Sequence, residues 1–236
     1  DVAANLAREW FDQGKVDMIT DFPTASTALA VMEIAKQKNR VTMPSAGLST
    51  AILGEKCSPL NAQWTTNTYA LAAGTARALV QEGKKTWYFI TADYTFGHSL
   101  EKDATEVIKE NGGTVVGVSR HPFPGNDFSS FLLKAQASKA DVIALANAGN
   151  DTVNAVKQAN EFGINKKQIV APLLTYISDV HSMGLSKAQG MYLTEAFYWD
   201  YADAPRAWAK KFFEKAKKMP TASSWLSRRI SWPRRG

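Results

Sequence analysis

A chain of 236 residues, 45% apolar and 21% charged, can build one large domain or two small ones, and no apolar run approaches the ~18 residues a membrane-spanning helix needs. The net charge of +6 argues only weakly for nucleic acid: Arg228, Arg229, Arg234 and Arg235 sit in an acid-free tail, and without them the charge is +2, so no nucleic-acid partner is expected. The one cysteine, Cys57, permits no internal disulfide and is expected to be a buried thiol unless it pairs with a segment outside this chain.

The chain opens at Asp1 without Met or a leader, which reads as a processed protein or a fragment. Residues 1–14 have a helical period that places Val2, Leu6, Trp10 and Phe11 on one face, a face that needs a preceding strand to pack on. Val16–Thr20 reads as a strand, and Asp21–Thr27 as a loop rich in N-cap residues. A helix follows over 28–38, then a strand at Arg40–Met43 closed by Pro44–Ser49, and a further strand near Gln63–Thr66. Helix 67–81 leads into Thr86–Thr91, whose aromatic and β-branched run is too short for a helix and suits a buried strand.

Asp93, Thr95 and Gly97 break that run, and Leu100, Ala104, Val107 and Ile108 resume at helical spacing. The loop between carries two rings, Tyr94 and Phe96, at the carboxyl end of a strand, where open α/β sheets bind ligands; packing onto the next loop would also account for them. Beyond lie strand Thr114–Val118, a Pro/Gly loop, a helix from Phe128 to Ser138 that Asp127 can cap, strand Asp141–Ala146, a helix over 151–162 stopped by Gly163, a strand from Ile169, a strand at Met191–Thr194, and a basic amphipathic helix from Arg206 to Lys218. Alternating strands and helices in two series predict α/β architecture with parallel sheets in two lobes. Residues 221–236 follow neither period and read as a basic arm, a shifted frame or a cloning scar.

Enzyme signatures are missing. There is no G-x-G-x-x-G, no G-x-x-x-x-G-K-[ST] and no G-x-S-x-G, and His98, His121 and His181 stand outside any H-E-x-x-H. No catalysis, metal or cofactor is expected. Asn150–Asp151–Thr152 fits the glycosylation pattern, a short match at a helix start. What recurs is a set of strand-end loops: Thr24–Ala25–Ser26, Ser45–Ala46–Gly47, Tyr94–Thr95–Phe96 and Asn147–Ala148–Gly149. Backbone amides and hydroxyls at helix starts suit a carboxylate, and rings opposite would close over an apolar body. Each loop alone could be a mere helix cap; four of one kind favour a ligand cleft.

Asp17–Met18–Ile19 with its Thr-Ala-Ser-Thr loop, Met43–Ala46, Ala92–Gly97, Phe123 with Asp127–Ser129, Ala148–Asp151 and Ala188–Met191 together resemble the periplasmic solute-binding proteins of the leucine/isoleucine/valine-binding type, over residues 1 to about 220. The resemblance implies two Rossmann-like lobes of the type I periplasmic binding protein fold, joined by three crossovers and closing on a ligand. Lobe 1 would hold 1–66 and 198–220, lobe 2 would hold 67–197, and the family's first strand and helix and its last elements would be missing. It also implies the solute-capturing component of an ABC importer: periplasmic or a lipoprotein outside the cytoplasm, monomeric, with a membrane permease as partner.

By position, Ser45, Ala46 and Gly47 match the loop that holds a ligand carboxylate, flanked by Thr24, Ala25 and Ser26; Phe96 matches a ring of the second lobe, and Ala148 and Tyr176 lie near other contacts. Amino-acid binders of the family tend to offer an acid to the ligand ammonium, and Thr175–Ser178 has none before Asp179. A buried, unpaired ammonium is costly, so a carboxylate lacking an amine, such as an aromatic acid, is the expected solute. Two other readings stay open: a ligand-sensing regulatory domain on the same fold, and a flavodoxin-like enzyme, which a flavin spectrum would expose.

Overall fold

A computed structural model describes residues 2–221, so the tail assigned no period in the sequence lies, from residue 222 on, outside the described residues. The chain divides into two units at 66/67 and 194/195. The first is built from α1 (Val2–Asp12), β1 (Met18–Asp21), α2 (Ala25–Gln37), β2 (Val41–Pro44) and, after the second unit, α8 (Asp203–Ala216). The second holds α3 (Thr68–Gln81), β3 (Thr86–Ala92), α4 (Thr95–Glu110), β4 (Thr114–His121), α5 (Ser129–Ala137), β5 (Val142–Ala146), α6 (Asn150–Glu161), β6 (Ile169–Pro172) and α7 (Ile177–Met183).

In the first unit β1 and β2 pair in parallel, Met18 opposite Val41 and Asp21 opposite Pro44. Phe11 and Ala7 of α1 join Ile19, Phe22, Val31, Met32, Ile34 and Ile52 in one core. The helix is where its period predicts, but turned: Ala7 and Phe11 are buried while Val2, Leu6 and Trp10 are exposed. No strand forms at 63–66; only Asn61 bridges to Thr42, and Gln63 instead donates its side-chain amide to Gly47 O at 2.7 Å. Cys57 is exposed and free rather than buried, because it follows the polar turn Gly54–Lys56 on the surface.

The second unit has a four-stranded parallel sheet in the order β4-β3-β5-β6. All five residues of β5, Val142–Ala146, are buried, as a central strand covered on both faces requires. Edge strand β4 alternates instead. Ile90, Phe128, Leu132, Ile143, Leu145, Val153, Val156 and Ile164 fill one side of the sheet. Gly163 ends α6 in the left-handed region, φ 67°. Met191–Thr194, read as a strand, forms no regular element and pairs with nothing in the sheet; the Thr194 hydroxyl is held by Thr75 at 2.9 Å. Helix α7 has no counterpart in the sequence reading.

The amino ends of β3 and β5 are joined by one carboxylate. Asp141 Oδ2 accepts from Lys85 N, Thr86 N and Thr86 Oγ1, each at 2.9 Å, while Thr86 Oγ1 accepts from Asp141 N. These donors, those of Thr86 first, hold the Asp141 carboxyl below its ordinary value. A carboxyl lowered in the folded state adds stability above its unfolded value of 3.8 and loses it as pH falls through the folded one. Asp141→Asn, whose amide oxygen can still accept, is therefore expected to cost about 0.5–1.5 kcal/mol at pH 7, the difference between charged and neutral hydrogen bonds at a partly exposed group. In urea unfolding the gap should narrow below pH 3.8, and a gap independent of pH would contradict this account.

Candidate functional site

Every strand of a parallel sheet sends its carboxyl end to the same edge, and connections that leave in opposite directions open a crevice there. In the second unit β3 is followed by a crossover to β4 on one side, whereas β5 lies on the other. The reversal falls between β3 and β5. Tyr94 sits in the turn after β3, and Asn147 and Ala148 in the turn after β5, so the structure sets these candidates on the two sides of the switch point. Phe96 enters the first turn of α4, and Tyr176 leads into α7 beyond β6.

The first turn of α4 lies directly over the two strand ends. A Cβ on Gly97 would stand 2.1 Å from Ala92 O and 3.1 Å from Ala146 O, so only glycine lets the helix settle there. Three rings cluster beside it. Tyr94 stacks on Phe123 with centroids 4.4 Å apart and planes at 16°, and meets Phe96 at 5.9 Å and 39°. Phe96 is buried, Phe123 is 45% exposed, and Tyr94 lies between. Burial first, and the charge of Asp151 second, push the Tyr94 phenol up to about 12, so it stays a neutral donor at physiological pH. Tyr176 donates its N–H to Asp179 Oδ2 at 2.8 Å, which commits that carboxylate to capping α7.

Two turns of the first unit also converge. Thr24 caps α2, its Oγ1 accepting from Thr27 N at 3.2 Å. Gly47 packs on that cap: a Cβ there would be 2.9 Å from Ala28 Cβ and 3.3 Å from Thr24 O. Ala25 and Ser26 supply first-turn N–H groups of α2, which a helix leaves unpaired. Ala46 and Gly47 lie in the adjoining turn after β2. Ser45 is less available, since its Oγ lies 2.5 Å from Asp21 Oδ1. The structure thus brings Thr24, Ala25, Ser26, Ser45, Ala46 and Gly47 to one end of β1 and β2, and Tyr94, Phe96, Asn147, Ala148 and Tyr176 to one edge of the second sheet.

Sequence reasoning missed the buried polar groups behind that second edge. His121, the last residue of β4, is 1% exposed, and Asp151 and Thr152 of α6 are equally enclosed. Asp151 Oδ2 accepts from Gly125 N at 3.1 Å and lies 3.8 Å from His121 Nδ1. Burial raises the Asp151 carboxyl, opposed by the Gly125 hydrogen bond and by His121. Thr91 and Thr175 carry buried hydroxyls without a hydrogen-bond partner among the described residues. The sequence signal they share is a polar residue near the carboxyl end of a strand or in the connection that follows it. His98, by contrast, is an exposed partner of Asp93, 2.7 Å away. A separate hollow of about 590 Å³ in the first unit is walled by Phe197, Tyr198, Tyr201, Pro205 and Trp208 with Glu195; these rings bring no cation to it. Among the described residues no three His, Cys, Asp or Glu side chains are grouped to hold a metal, and no helix is long and apolar enough to cross a membrane.

Parallel α/β sheets whose donors, hydroxyls and rings collect at the carboxyl edge form the class of open α/β ligand-binding scaffolds. Within that class the chain belongs to the periplasmic binding protein family, whose model matches residues 1–227. It is 30% identical over 217 residues to Leu/Ile/Val-binding protein homolog 6 of Brucella melitensis, covering 90% of this chain and 54% of that protein. A periplasmic binding protein from Burkholderia mallei is 47% identical with a TM-score of 0.89, over 96% of this chain and 60% of its own. A branched chain amino acid ABC transporter periplasmic ligand-binding protein from Burkholderia xenovorans is 36% identical with a TM-score of 0.80, over 96% and 61%. The fold is the type I periplasmic binding protein fold, and these relatives are binding proteins rather than enzymes. The chain spans about half the length of the curated relative and about three-fifths of the two solved structures.

Two outcomes follow from the site geometry. Gly97→Ala should destabilise by about 1–3 kcal/mol, the usual range for overpacking, read as a lowered melting temperature; an unchanged one would mean that α4 can lift off the strand ends freely. A carboxyl raised in the folded state, like that of Asp151, favours folding below its unfolded value of 3.8, and that contribution is lost as pH rises through the folded value. Asp151→Asn, whose amide oxygen still accepts from Gly125, should therefore gain stability relative to the parent protein between pH 3.8 and neutrality. A mutant that loses ground over the same interval would refute the direction.

Proposed function

We propose that this protein captures a small carboxylate-bearing solute outside the cytoplasm and delivers it, as a monomer, to the membrane permease of an ABC importer. Each of its units is read as a lobe with recognition chemistry of its own. The first offers the carboxylate N–H groups of Ala25, Ser26, Ala46 and Gly47 with the hydroxyls of Thr24 and Ser45, the arrangement that favours anions at a helix start. The Ser45 hydroxyl leaves Asp21 when the ligand arrives. The second offers Tyr94, Phe96, Ala148 and Tyr176, with Asn147 behind them and Phe123 added to the set.

The solute proposed is an aromatic acid lacking an α-amine. The observation that carries this reading is the state of the acids around the ring cluster. Asp179 is held by the Tyr176 N–H, and Asp151 is buried against Gly125 and His121. An ammonium brought to this edge would find both of these carboxylates engaged, and the third acid of the edge, Asp93, is exposed and paired with His98 at 2.7 Å; leaving an ammonium unpaired is costly. A flat aromatic body gains instead from the exposed face of Phe123, which continues the Tyr94 stack; such ring pairs contribute about 0.5–1.5 kcal/mol beyond area burial.

The test is thermal shift and calorimetry of the intact protein against benzoate, 4-hydroxybenzoate, leucine, isoleucine and valine. Binding to the native state alone raises the melting temperature by mass action. Benzoates should raise it more than the amino acids do, and Phe123→Ala should weaken benzoate binding by about two- to tenfold. A larger shift with leucine would overturn the aromatic acid, and no shift with any small carboxylate would overturn solute capture.

A further inference from the structure

The buried groups behind the Asn147–Ala148 turn form a chain of hydrogen bonds with a direction. His121 Nδ1 lies 2.9 Å from Pro122 O. A carbonyl only accepts, so Nδ1 must carry the proton, and the neutral ring is left with a bare Nε2. Asn147 Nδ2 reaches that Nε2 at 3.5 Å, and Asn147 Oδ1 accepts from Thr152 Oγ1 at 2.7 Å. Asn147 and Thr152 are fully buried, so no bulk water can substitute for either partner. The orientation of the Asn147 amide, ambiguous in most asparagines, is determined here by the ring behind it.

We infer that His121 is a positioning residue for the ligand turn: its neutral Nδ1–H form locks the Asn147 amide, and a proton on Nε2 reverses that amide and releases the Ala148 backbone from its binding position. Protonated Nε2 would confront the Asn147 NH2 as donor against donor. The amide relieves this by turning its oxygen to the ring, and its NH2 then meets Thr152 Oγ1. That hydroxyl can no longer donate to Asn147 and turns to the carbonyls three and four residues back, Gly149 and Ala148, the acceptors that helical threonines use.

The groups facing the ring allow the second state. Asp151 of α6 stands 3.8 Å from Nδ1 and pairs with the charged ring. Tyr94, from the turn after β3, is neutral and electrostatically coupled to Asp151. From α5 and the residue before it come the rings of Phe131 and Phe128, at 6.0 and 4.8 Å. Arg120, next along β4, points away to Glu101. Gly125 closes the cluster: a Cβ there would lie 3.2 Å from His121 Nδ1.

The inference rests on the proposed function only for its effect on ligand, and the experiment separates the two. Nitrogen NMR of the intact protein without ligand should show the His121 proton on Nδ1 at neutral pH; a proton on Nε2 instead would overturn the proposal. On acidification the Asn147 side-chain amide and the Ala148 backbone amide should shift with the same midpoint as the His121 ring. In His121→Gln, whose oxygen keeps an acceptor towards Asn147, that common transition should vanish. An Ala148 amide indifferent to the ring's titration, or an unchanged transition in His121→Gln, would overturn the proposal. With benzoate as probe, affinity should fall at least about fivefold across the transition, the lower end of site–site coupling. Failure of benzoate to bind at any pH strikes the proposed function and leaves the NMR result to decide the switch.

Discussion

Parallel strands cannot be joined by a hairpin, and each must be followed by a crossover that carries the chain back along the sheet. Everything about the candidate site descends from this constraint. It delivers the ends of β3, β4, β5 and β6 to a single edge, and the order β4-β3-β5-β6 opens that edge between β3 and β5. The Asp141 carboxylate secures the same two strands at their far ends. Register at the amino end and position of the turns at the carboxyl end are therefore parts of one rigid object. Gly97 then brings α4 down on it closely enough that Tyr94 and Phe96 are held at the crevice.

The polar groups behind the edge show how a candidate binding surface is kept firm where it cannot be greasy. His121, Asn147, Asp151 and Thr152 are enclosed as deeply as the apolar core, and such groups favour folding only when each finds its partner. The partners come from two separate connections: Pro122 and Gly125 after β4, and Asn147 with Asp151 and Thr152 of α6 after β5. Loops that would otherwise move independently are tied through a few side chains.

Much of the architecture was legible because its signals are local. The aromatic and β-branched run at Thr86–Thr91 and the apolar run at Val142–Ala146 suit buried strands, and Asp127, whose carboxylate accepts from Ser129 N, marks the start of α5 between them. What failed was long-range or short. The period of α1 predicts a helix but not which neighbours exist: it puts Val2, Leu6 and Trp10 on the packing face, whereas the helix buries Ala7 and Phe11. Met191–Thr194 has strand composition and no strand to pair with, and α7 is too short for its period to show. The strand-end turns were readable as candidates, whereas the His121–Asn147 contact joins residues 26 apart. Nothing in either segment announces the other, because adjacency of strand ends is a property of the sheet order.

The two-stranded sheet of the first unit has a further consequence for how the molecule comes apart. Two strands alone are marginal in water and depend on helices packed against them, whereas the four-stranded sheet buries its central strands on both faces. Local opening follows the weakest cooperative block. Backbone amides of β1 and β2 should thus exchange with solvent through excursions that leave β3 and β5 closed. The turns at Thr24–Ser26 and Ser45–Gly47 ride on the softer block and the ring cluster on the harder one. A solute that orders the first would show its grip as slowed exchange there, long before it altered anything in the second.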